Sequence, residues 1–154
     1  MGKYARYPSL FGKSVLVTGG ASGIGAKIVE EFVEQGSKVG FIDLDENSGQ
    51  RLLTKIGDEH AFECCDLRNI DALRGSIEKL NTCLGPFSVL VNNAAHDDRH
   101  NWADVTPDYW DERMATNLRH MFFAIQSVAP GMIRAGGGSI INLGSGSWWQ
   151  AVGG

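Results

Sequence analysis

The sequence has few cysteines, and they are poorly placed for structural work. It contains three, two of them adjacent at Cys64 and Cys65, which is too few for a disulfide framework and the wrong spacing for a zinc site. Side chains of neighbouring strand residues point to opposite faces of a sheet. We therefore interpret the pair as two reduced thiols in one strand, as expected of a cytoplasmic protein.

Long apolar runs and clusters of basic residues are also missing. No stretch approaches the roughly 20 apolar residues of a membrane span, and residues 1–13 lack the apolar core of a signal peptide. The net charge is -4 and the basic residues are scattered, so neither nucleic acid nor a membrane is expected as a partner. The 154 residues, 43% of them hydrophobic, are enough for one domain with a core.

Two patterns alternate along the chain. Short runs rich in β-branched residues, several of them apolar at consecutive positions, are typical of strands buried on both faces of a parallel sheet. These runs are 14–18, 38–43, 60–65, 87–91 and 139–143. Segments with helical periodicity are 24–36, 69–85 and 106–138. The alternation predicts a doubly wound α/β fold with right-handed crossovers.

The first two helical segments have recognisable faces and ends. One face of the first is apolar, and the opposite face is charged. The apolar residues are Ile24, Ile28, Val29, Phe32 and Val33. Gly36 is expected to follow the helix end. Asn69 is expected to cap the second segment, and Gly85-Pro86 to end it.

The third helical segment has a clear start signal. Thr106 is placed as the N-cap, Pro107 as the first helical residue and Asp108 in the first turn. Pro130 lies far along the segment and is expected to kink or end the helix.

A glycine-rich corner, TGGASGIG, joins the first strand to the first helix. The amino end of a helix presents unpaired N–H groups and the positive end of the helix dipole, which attract anions. We expect Gly19 to supply a tight turn, Gly23 to let a pyrophosphate approach, and Gly25 to let the helix pack closely. The residues expected to bind the diphosphate are Gly19, Ser22, Gly23 and Ile24. A turn without a ligand stays open as the alternative, because the spacing differs from G-x-G-x-x-G.

An acidic residue closes the second strand. Asp43 lies where a carboxylate can accept hydrogen bonds from the adenosine ribose hydroxyls and repel a 2′-phosphate. No lysine or arginine directly follows it, so NAD is favoured over NADP as the cofactor. The alternative is that Asp43 merely precedes a helix cap, but Asp45 is available for that task.

Further motifs follow in order, and the set resembles the short-chain dehydrogenase/reductase family. The motifs are TGGASGIG (18–25), CDL (65–67), NNAA (92–95), MATN (114–117) and GGSIINLGS (137–145). The resemblance implies a Rossmann-type sheet. The residues it further implies at the cofactor are Asp66, Leu67, Asn93, Ala94 and Ala95. Asn117 would be the catalytic asparagine and Ser145 the substrate-orienting serine, while Ala95 stands where the family usually has glycine.

Other segments are similar to the bacterial NAD-dependent sugar 1-dehydrogenases, the D-xylose dehydrogenase group above all. They are YPSL (7–10), DDRHNWADVTPDYWDER (97–113), NLRHM (117–121), VAPGM (128–132) and GSGSWW (144–149). This resemblance implies hydride transfer to NAD from the anomeric hydroxyl of an aldose of the xylose, arabinose, galactose or fucose type, giving an aldonolactone. The candidate substrate residues are His96, Asp97, Ser147 and Trp148.

The HDDRH run at 96–100 also admits a metal-site interpretation. Nothing else in the sequence completes such a site, so we predict no metal and a polar loop that hydrogen-bonds sugar hydroxyls. Trp148 and Trp149 could stack on a sugar ring, or at least one of them could belong to the core or to an interface.

The family's catalytic Y-x-x-x-K pattern does not occur in the sequence. We therefore expect residues 1–154 to be the dinucleotide-binding part of a longer dehydrogenase, with the fifth strand left as an apolar sheet edge. By resemblance, the full-length protein is expected to be a homo-oligomer, either a tetramer or a dimer.

Three alternatives to a sugar dehydrogenase are considered. One is a catalytically inactive NAD-binding module, and another is a short-chain dehydrogenase for a different secondary alcohol. A methyltransferase also uses a glycine-rich first turn and an acidic residue after the second strand, but it requires neither the NNAA nor the GSIINLGS run.

Overall fold

The computed structural model describes residues 5–98 and 100–146. The strands of this part are β1 (Ser14–Thr18), β2 (Lys38–Asp43), β3 (Ala61–Cys64), β4 (Val89–Asn92) and β5 (Ser139–Asn142). They form one parallel sheet in the order β3-β2-β1-β4-β5. Each strand matches a predicted run to within a residue or two. The doubly wound, Rossmann-type α/β class is therefore confirmed.

The helices of the described residues are α1 (Gly23–Glu34), α2 (Glu46–Ile56), α3 (Ile70–Leu84), α4 (Pro107–Met114) and α5 (His120–Arg134). A π-helical turn, Ala115–Arg119, joins α4 to α5. Short 3-10 turns lie at Pro8–Leu10 and Trp102–Asp104. The alternation of patterns implies α2 without fixing its bounds, because the sequence there has few apolar residues.

Helices cover both faces of the sheet. Val15 and Val17 of β1 belong to the core that α1 and α2 cover. Leu16 of β1 and Leu90 of β4 belong to the core beneath α3 and α5. Both strands are buried along their whole length, as their consecutive apolar residues predict. Burial of each large side chain contributes about 1.5–3 kcal/mol, so these two cores hold the strand ends in place.

The predicted helix ends are confirmed. Asn69 and Thr106 each accept a hydrogen bond from the backbone N–H three residues later, at 3.1 and 3.2 Å. Gly36 and Gly85 follow α1 and α3 with φ values of +79° and +81°, a region that glycine enters without steric cost. Asp45 caps α2 by accepting from Ser48 N–H at 3.0 Å.

Two local expectations need correction. Of the two outcomes expected at Pro130, a kink or a helix end, the end does not occur, because α5 continues to Arg134; the proline lies on the exposed side, where solvent can hydrate the carbonyl that loses its N–H partner. Ile24 does not pack into the core and is 71% exposed. The strand β5 is exposed at the edge of the described sheet, as expected of an apolar edge strand.

The two adjacent cysteines are separated as expected. Cys64 is exposed, Cys65 is buried, and both are free thiols. Burial raises the pKa of Cys65, which keeps that thiol protonated and unreactive at neutral pH. Among the described helices, none is long and apolar enough to cross a membrane.

Candidate cofactor cleft

A cleft of about 610 Å³ opens at the carboxyl ends of the strands. It lies where the chain leaves β1 for β2 on one side and β4 continues the sheet on the other, the point at which doubly wound folds bind ligands. The sequence-predicted residues that line it are Gly19, Ser22, Gly23, Ile24, Asp43, Asp66, Leu67, Asn93, Ala94, Ala95 and His96. The fold therefore brings together every residue expected at the cofactor.

Three glycines of the glycine-rich corner are each favoured for a different structural reason. Gly19 has a φ of +66°, and a Cβ there would lie 2.7 Å from the Cα of Ala94. A Cβ on Gly25 would lie 1.8 Å from the carbonyl oxygen of Gly19, so any side chain would separate α1 from the sheet. Gly23 has a φ of +54° and open space where a Cβ would stand. The backbone at Gly23 is thus free for close approach by a ligand.

The amino end of α1 is left without a side-chain cap. Ser22 occupies the N-cap position, yet its side chain makes no capping hydrogen bond within the described residues, and the first turn of α1 contains no acidic residue. The first N–H groups of a helix need partners from outside the helix. With the positive dipole end beside them, they favour an anion in the cleft.

Thr18 and Asn93 fasten the end of β4 to the glycine corner. The Thr18 Oγ1 atom accepts hydrogen bonds from the N–H groups of Asn93 and Ala94, at 3.1 and 3.2 Å. The Asn93 side-chain amide donates to the carbonyls of Thr18 and Gly19, at 3.1 and 2.9 Å. Two walls of the cleft are consequently fixed relative to each other.

The Asp43 carboxylate is held by backbone amides. Its Oδ2 accepts from Ala21 N–H at 2.9 Å, and its Oδ1 accepts from Asp45 N–H at 3.1 Å. Each oxygen of a carboxylate can accept more than one hydrogen bond, so Asp43 keeps acceptor capacity toward the cleft. The next residue, Leu44, is 66% exposed and lines the same cleft.

Arg68 joins two carboxylates at the cleft. Its guanidinium hydrogen-bonds Asp66, with Nη2 to Oδ2 at 2.7 Å, and its Nη1 lies 3.0 Å from Glu112 on α4. The hydrogen bond from Arg68 lowers the pKa of Asp66, and Asp66 chiefly raises the pKa of Arg68. The positive charge of Arg68 is therefore already matched by two negative charges.

Asn117 lies in the π-helical turn and binds the loop after β4. Its Oδ1 accepts from the His96 N–H at 2.7 Å, and its Nδ2 donates to the His96 carbonyl at 3.1 Å. The side chain is thus committed to the backbone of the residue that ends the cleft wall. Asn117, Asp97 and Ser145 do not line the cleft, and Ser145 is exposed just after β5.

Some predicted substrate residues, namely Ser147, Trp148 and Trp149, fall outside the described residues. In the part that is described, no group of three or more His, Cys, Asp or Glu side chains is arranged to hold a metal ion.

Sequence reasoning missed several residues of the site. Thr18, Arg68, Glu112 and Thr116 contact or line the cleft without having been candidates. For Thr18, a polar residue at the end of an apolar strand is a usable signal. Arg68 and Glu112 are 44 residues apart, and no local pattern links them.

The chain is similar to known proteins over most of its length. A family model described as short chain dehydrogenase matches residues 13–152. The D-xylose 1-dehydrogenase of Caulobacter vibrioides is 47% identical over 147 residues, which are 94% of this chain and 58% of that protein. A probable galactose dehydrogenase of Rhizobium meliloti is 47% identical over 145 residues, 92% of this chain and 57% of that protein. The chain therefore spans a little more than half the length of these relatives.

Solved structures show the same fold. A 3-ketoacyl-(acyl-carrier-protein) reductase from Brucella melitensis, complexed with NADH, gives a TM-score of 0.87 at 23% identity, covering 94% of this chain and 62% of that one. A Serratia marcescens short-chain dehydrogenase/reductase mutant gives 0.82 at 29% identity, covering 90% and 57%.

Proposed function

This chain belongs to the short-chain dehydrogenase family, and from that premise we propose that its cleft binds NAD. In this proposal residues 1–154 form the dinucleotide-binding domain of an enzyme that oxidises the anomeric hydroxyl of an aldose to an aldonolactone. One observation carries it: an uncapped helix terminus beside Gly23 and the carboxylate of Asp43 line the same cleft.

The residues present fit a dinucleotide. The open space at Gly23 admits a diphosphate to the free N–H groups at the start of α1. The fixed carboxylate of Asp43 lies where it can accept hydrogen bonds from ribose hydroxyls. NAD, when bound, supplies the acceptor for the hydride. The chain's own residues bind it, orient it and shape the wall that faces the substrate.

The charges in the cleft favour NAD over NADP. A 2′-phosphate is best stabilised by a cation that is not already paired with a carboxylate. Among the described residues that line the cleft, Arg68 is the one lysine or arginine. Its guanidinium is paired with Asp66 and Glu112. The residue after Asp43 is the apolar Leu44. A 2′-phosphate would therefore meet the Asp43 carboxylate without a cation to offset the repulsion.

The chemical step needs a base that these 154 residues do not supply in the family's Y-x-x-x-K pattern. We propose that a tyrosine and lysine in that pattern complete the enzyme, and that Ser145 orients the substrate hydroxyl. Asn117 acts by fixing the loop at His96. General-base catalysis contributes about 10²–10⁴-fold, so residues 1–154 on their own are expected to bind NAD and to turn over slowly.

The substrate class is inferred from the relatives and the cleft mouth. Two proteins at 47% identity are described as a xylose and a probable galactose dehydrogenase. His96 stands at the end of the cleft wall, and Asp97, Ser147 and Trp148 are proposed as further sugar contacts. We propose no nucleic-acid or membrane partner, and a cytoplasmic location.

An exposed apolar stripe supports a homo-oligomer. It runs along α4, the π-helical turn and α5 and consists of Trp110, Met114, Leu118 and Phe122, which are 39–63% exposed. A spacing of four residues places them on one helical face. We propose that a second copy of the chain covers this stripe, giving a dimer or tetramer. Light scattering should then show a smaller species for Phe122→Lys.

Calorimetry and product assays test the proposed function. The folded chain should bind NAD and NADH more tightly than NADP. Protein expressed from the whole gene should form NADH from NAD with xylose, arabinose, galactose or fucose. Absence of heat with both nucleotides would refute the cofactor assignment. Activity with another secondary alcohol instead of any aldose would refute the sugar assignment, and binding without turnover would leave an inactive NAD-binding module.

A further inference from the structure

We propose that His96 contacts the sugar, and that Asp98 and Arg113 set its imidazole in one orientation and one tautomer. In that tautomer the Nδ1 atom accepts a hydrogen bond from a hydroxyl of a neutral, unphosphorylated sugar. This inference rests on the proposed function for its substrate, but the positioning of the ring rests on the structure alone.

The backbone of His96 is held in place by two hydrogen bonds. Both its N–H and its carbonyl are bound by the side chain of Asn117, at 2.7 and 3.1 Å. His96 follows Ala95 along the cleft wall and lines the cleft itself. Its Cα is thus held in place at the end of the cleft, although the segment has no regular secondary structure.

The ring of His96 is oriented by Asp98. The Nε2 atom lies 2.7 Å from Asp98 Oδ2. Because an ionised carboxylate can only accept hydrogen bonds, we place the ring hydrogen on Nε2. In the neutral imidazole the other nitrogen, Nδ1, then holds a lone pair. The other hydrogen bonds that described residues make to His96 involve its backbone, so Nδ1 is the atom left to meet a ligand.

Arg113 holds Asp98 in turn. Its side chain is only 16% exposed, and its Nη2 lies 3.4 Å from Asp98 Oδ2. The guanidinium stacks over the ring of Tyr109, with 4.7 Å between its central carbon and the ring centroid. Its Nε and Nη1 are buried and lack hydrogen-bond partners among the described residues. A buried cation in this state draws the nearby carboxylate of Asp98 toward it.

A second contact anchors the far end of the same loop. The Tyr109 hydroxyl lies 2.8 Å from Nδ1 of His100. Helix α4 therefore binds the loop at two points through Tyr109 and Arg113. A substrate-facing group held in this way loses little conformational freedom on binding, which is what preorganisation requires.

The lone pair on Nδ1 selects the kind of group that can bind there. A sugar hydroxyl can donate a hydrogen bond to the neutral imidazole, whereas an ionised carboxylate or a fully ionised phosphate can only accept one. A neutral sugar therefore fits this position better than a sugar phosphate or a sugar acid.

Nitrogen NMR on labelled histidine tests the positioning directly. The chain has four histidines, so the signals of His96 are assigned by their loss in His96→Asn. In the neutral form of the ring, they should show hydrogen on Nε2 in the parent protein. In Asp98→Asn, where the amide can also donate, the Nδ1–H tautomer should become substantially populated. An unchanged tautomer in Asp98→Asn, or hydrogen on Nδ1 in the parent, would overturn the inference.

Kinetics on protein expressed from the whole gene test the contact. His96→Ala and Asp98→Asn should each raise the KM for the aldose by about three- to tenfold, the effect of losing one neutral hydrogen bond. Asp104→Asn removes a carboxylate from the same segment at an exposed position and serves as the control. Circular dichroism establishes that each variant is folded.

The possible failures are distinguishable. An active enzyme whose KM is unchanged in His96→Ala would refute the contact and leave the proposed function standing. An active enzyme that oxidises a sugar phosphate as readily as the free sugar would refute the substrate class. An enzyme without activity on any aldose would remove the proposed function and the contact together, while the NMR result would still decide the role of Asp98.

Discussion

At the scale of single residues, the Asp43 carboxylate is held by two backbone amides in the proposed cofactor site. Replacement by alanine should weaken NAD binding by about ten- to a hundredfold, because hydrogen bonds to a charged group are worth about 1.5–3 kcal/mol. Discrimination against NADP should narrow, since the repulsion of a 2′-phosphate is removed. Competitive titration of both nucleotides measures the two effects.

The control for this variant is Asp58→Ala, which removes an exposed carboxylate away from the cleft and should leave both affinities unchanged. If the unmutated protein bound NAD and NADP equally well, Asp43 would not have the role assigned to it.

Thr18 is a second residue whose replacement should clearly affect the free energy of unfolding. It is fully buried, and its hydroxyl accepts from the N–H groups of Asn93 and Ala94. Thr18→Val keeps the shape but leaves two donors without their acceptor, which should lower the free energy of unfolding by about 1–3 kcal/mol. Urea denaturation measures this, and Thr18→Ser should retain most of the stability. Equal losses in both variants would mean that packing, not the hydroxyl, is responsible.

At the scale of elements, close contact between α1 and the sheet depends on the absence of a side chain at Gly25. Gly25→Ala places a methyl group against the carbonyl oxygen of Gly19 and should cost about 2–3 kcal/mol or more, with NAD binding lost in calorimetry. Gly75→Ala is the matched control, since Gly75 lies inside α3 with nothing near its Cβ position. That variant should gain up to about 1 kcal/mol. Similar behaviour of the two variants would contradict the packing argument.

The sequence predicts elements well where local chemistry determines them. Asn69 and Thr106 cap their helices because the cap is a contact over three residues, and the pattern is visible in the sequence. The π-helical turn has no comparable signal. Asn117, which lies in that turn, binds the backbone of a residue 21 positions earlier, and no local pattern shows that contact. The continuation of α5 past Pro130 depends on packing of Val128 and Met132 in the core, which outweighs a local preference.

At the scale of the whole molecule, two histidines make stability depend on pH. Burial lowers the pKa of both His60 and His120. The Thr116 carbonyl partly opposes the shift at His120, although neither ring nitrogen of His120 makes a well-formed hydrogen bond among the described residues. His60 Nδ1 accepts from the Val39 N–H at 3.1 Å, which protonation of that atom would abolish.

The sign of the effect follows from these pKa values. Free histidine titrates near 6.5, so below that pH the unfolded chain binds more protons than the folded chain. The contribution of the two histidines to the free energy of unfolding is fully present above pH 6.5. It is lost as the pH falls toward their lower pKa values in the folded chain. Urea midpoints at pH 7.5, 6.5 and 5.5 should therefore decrease, with a shallower decrease in His60→Gln. A stability that stays level over this range would show that these histidines are not protected from protonation.

The sequence predicts the residues of the site well where the sheet topology brings strand ends together. It predicts them less well where two side chains far apart in the sequence meet. Strand ends converge at a point that topology determines, so Gly19, Asp43 and Asn93 are found together in the cleft. The pairing of Arg68 with Glu112 requires the position of α4 beside the loop after β3. The sequence contains both residues but not the distance between them.

The π-helical turn Ala115–Arg119 has a consequence for the spacing of the chain on either side of it. A π-helical turn holds one residue more than an α-helical turn, so the extra residue does not change the phase of the helix that follows. Deleting one residue there would let the segment close as ordinary α-helix while α5 keeps its orientation about its axis. Ala124, Val128 and Met132 would then stay in the core beneath α5. The same deletion inside α5 itself would rotate everything after it by about 100°. This turn is therefore the place where the helix can best lose a residue.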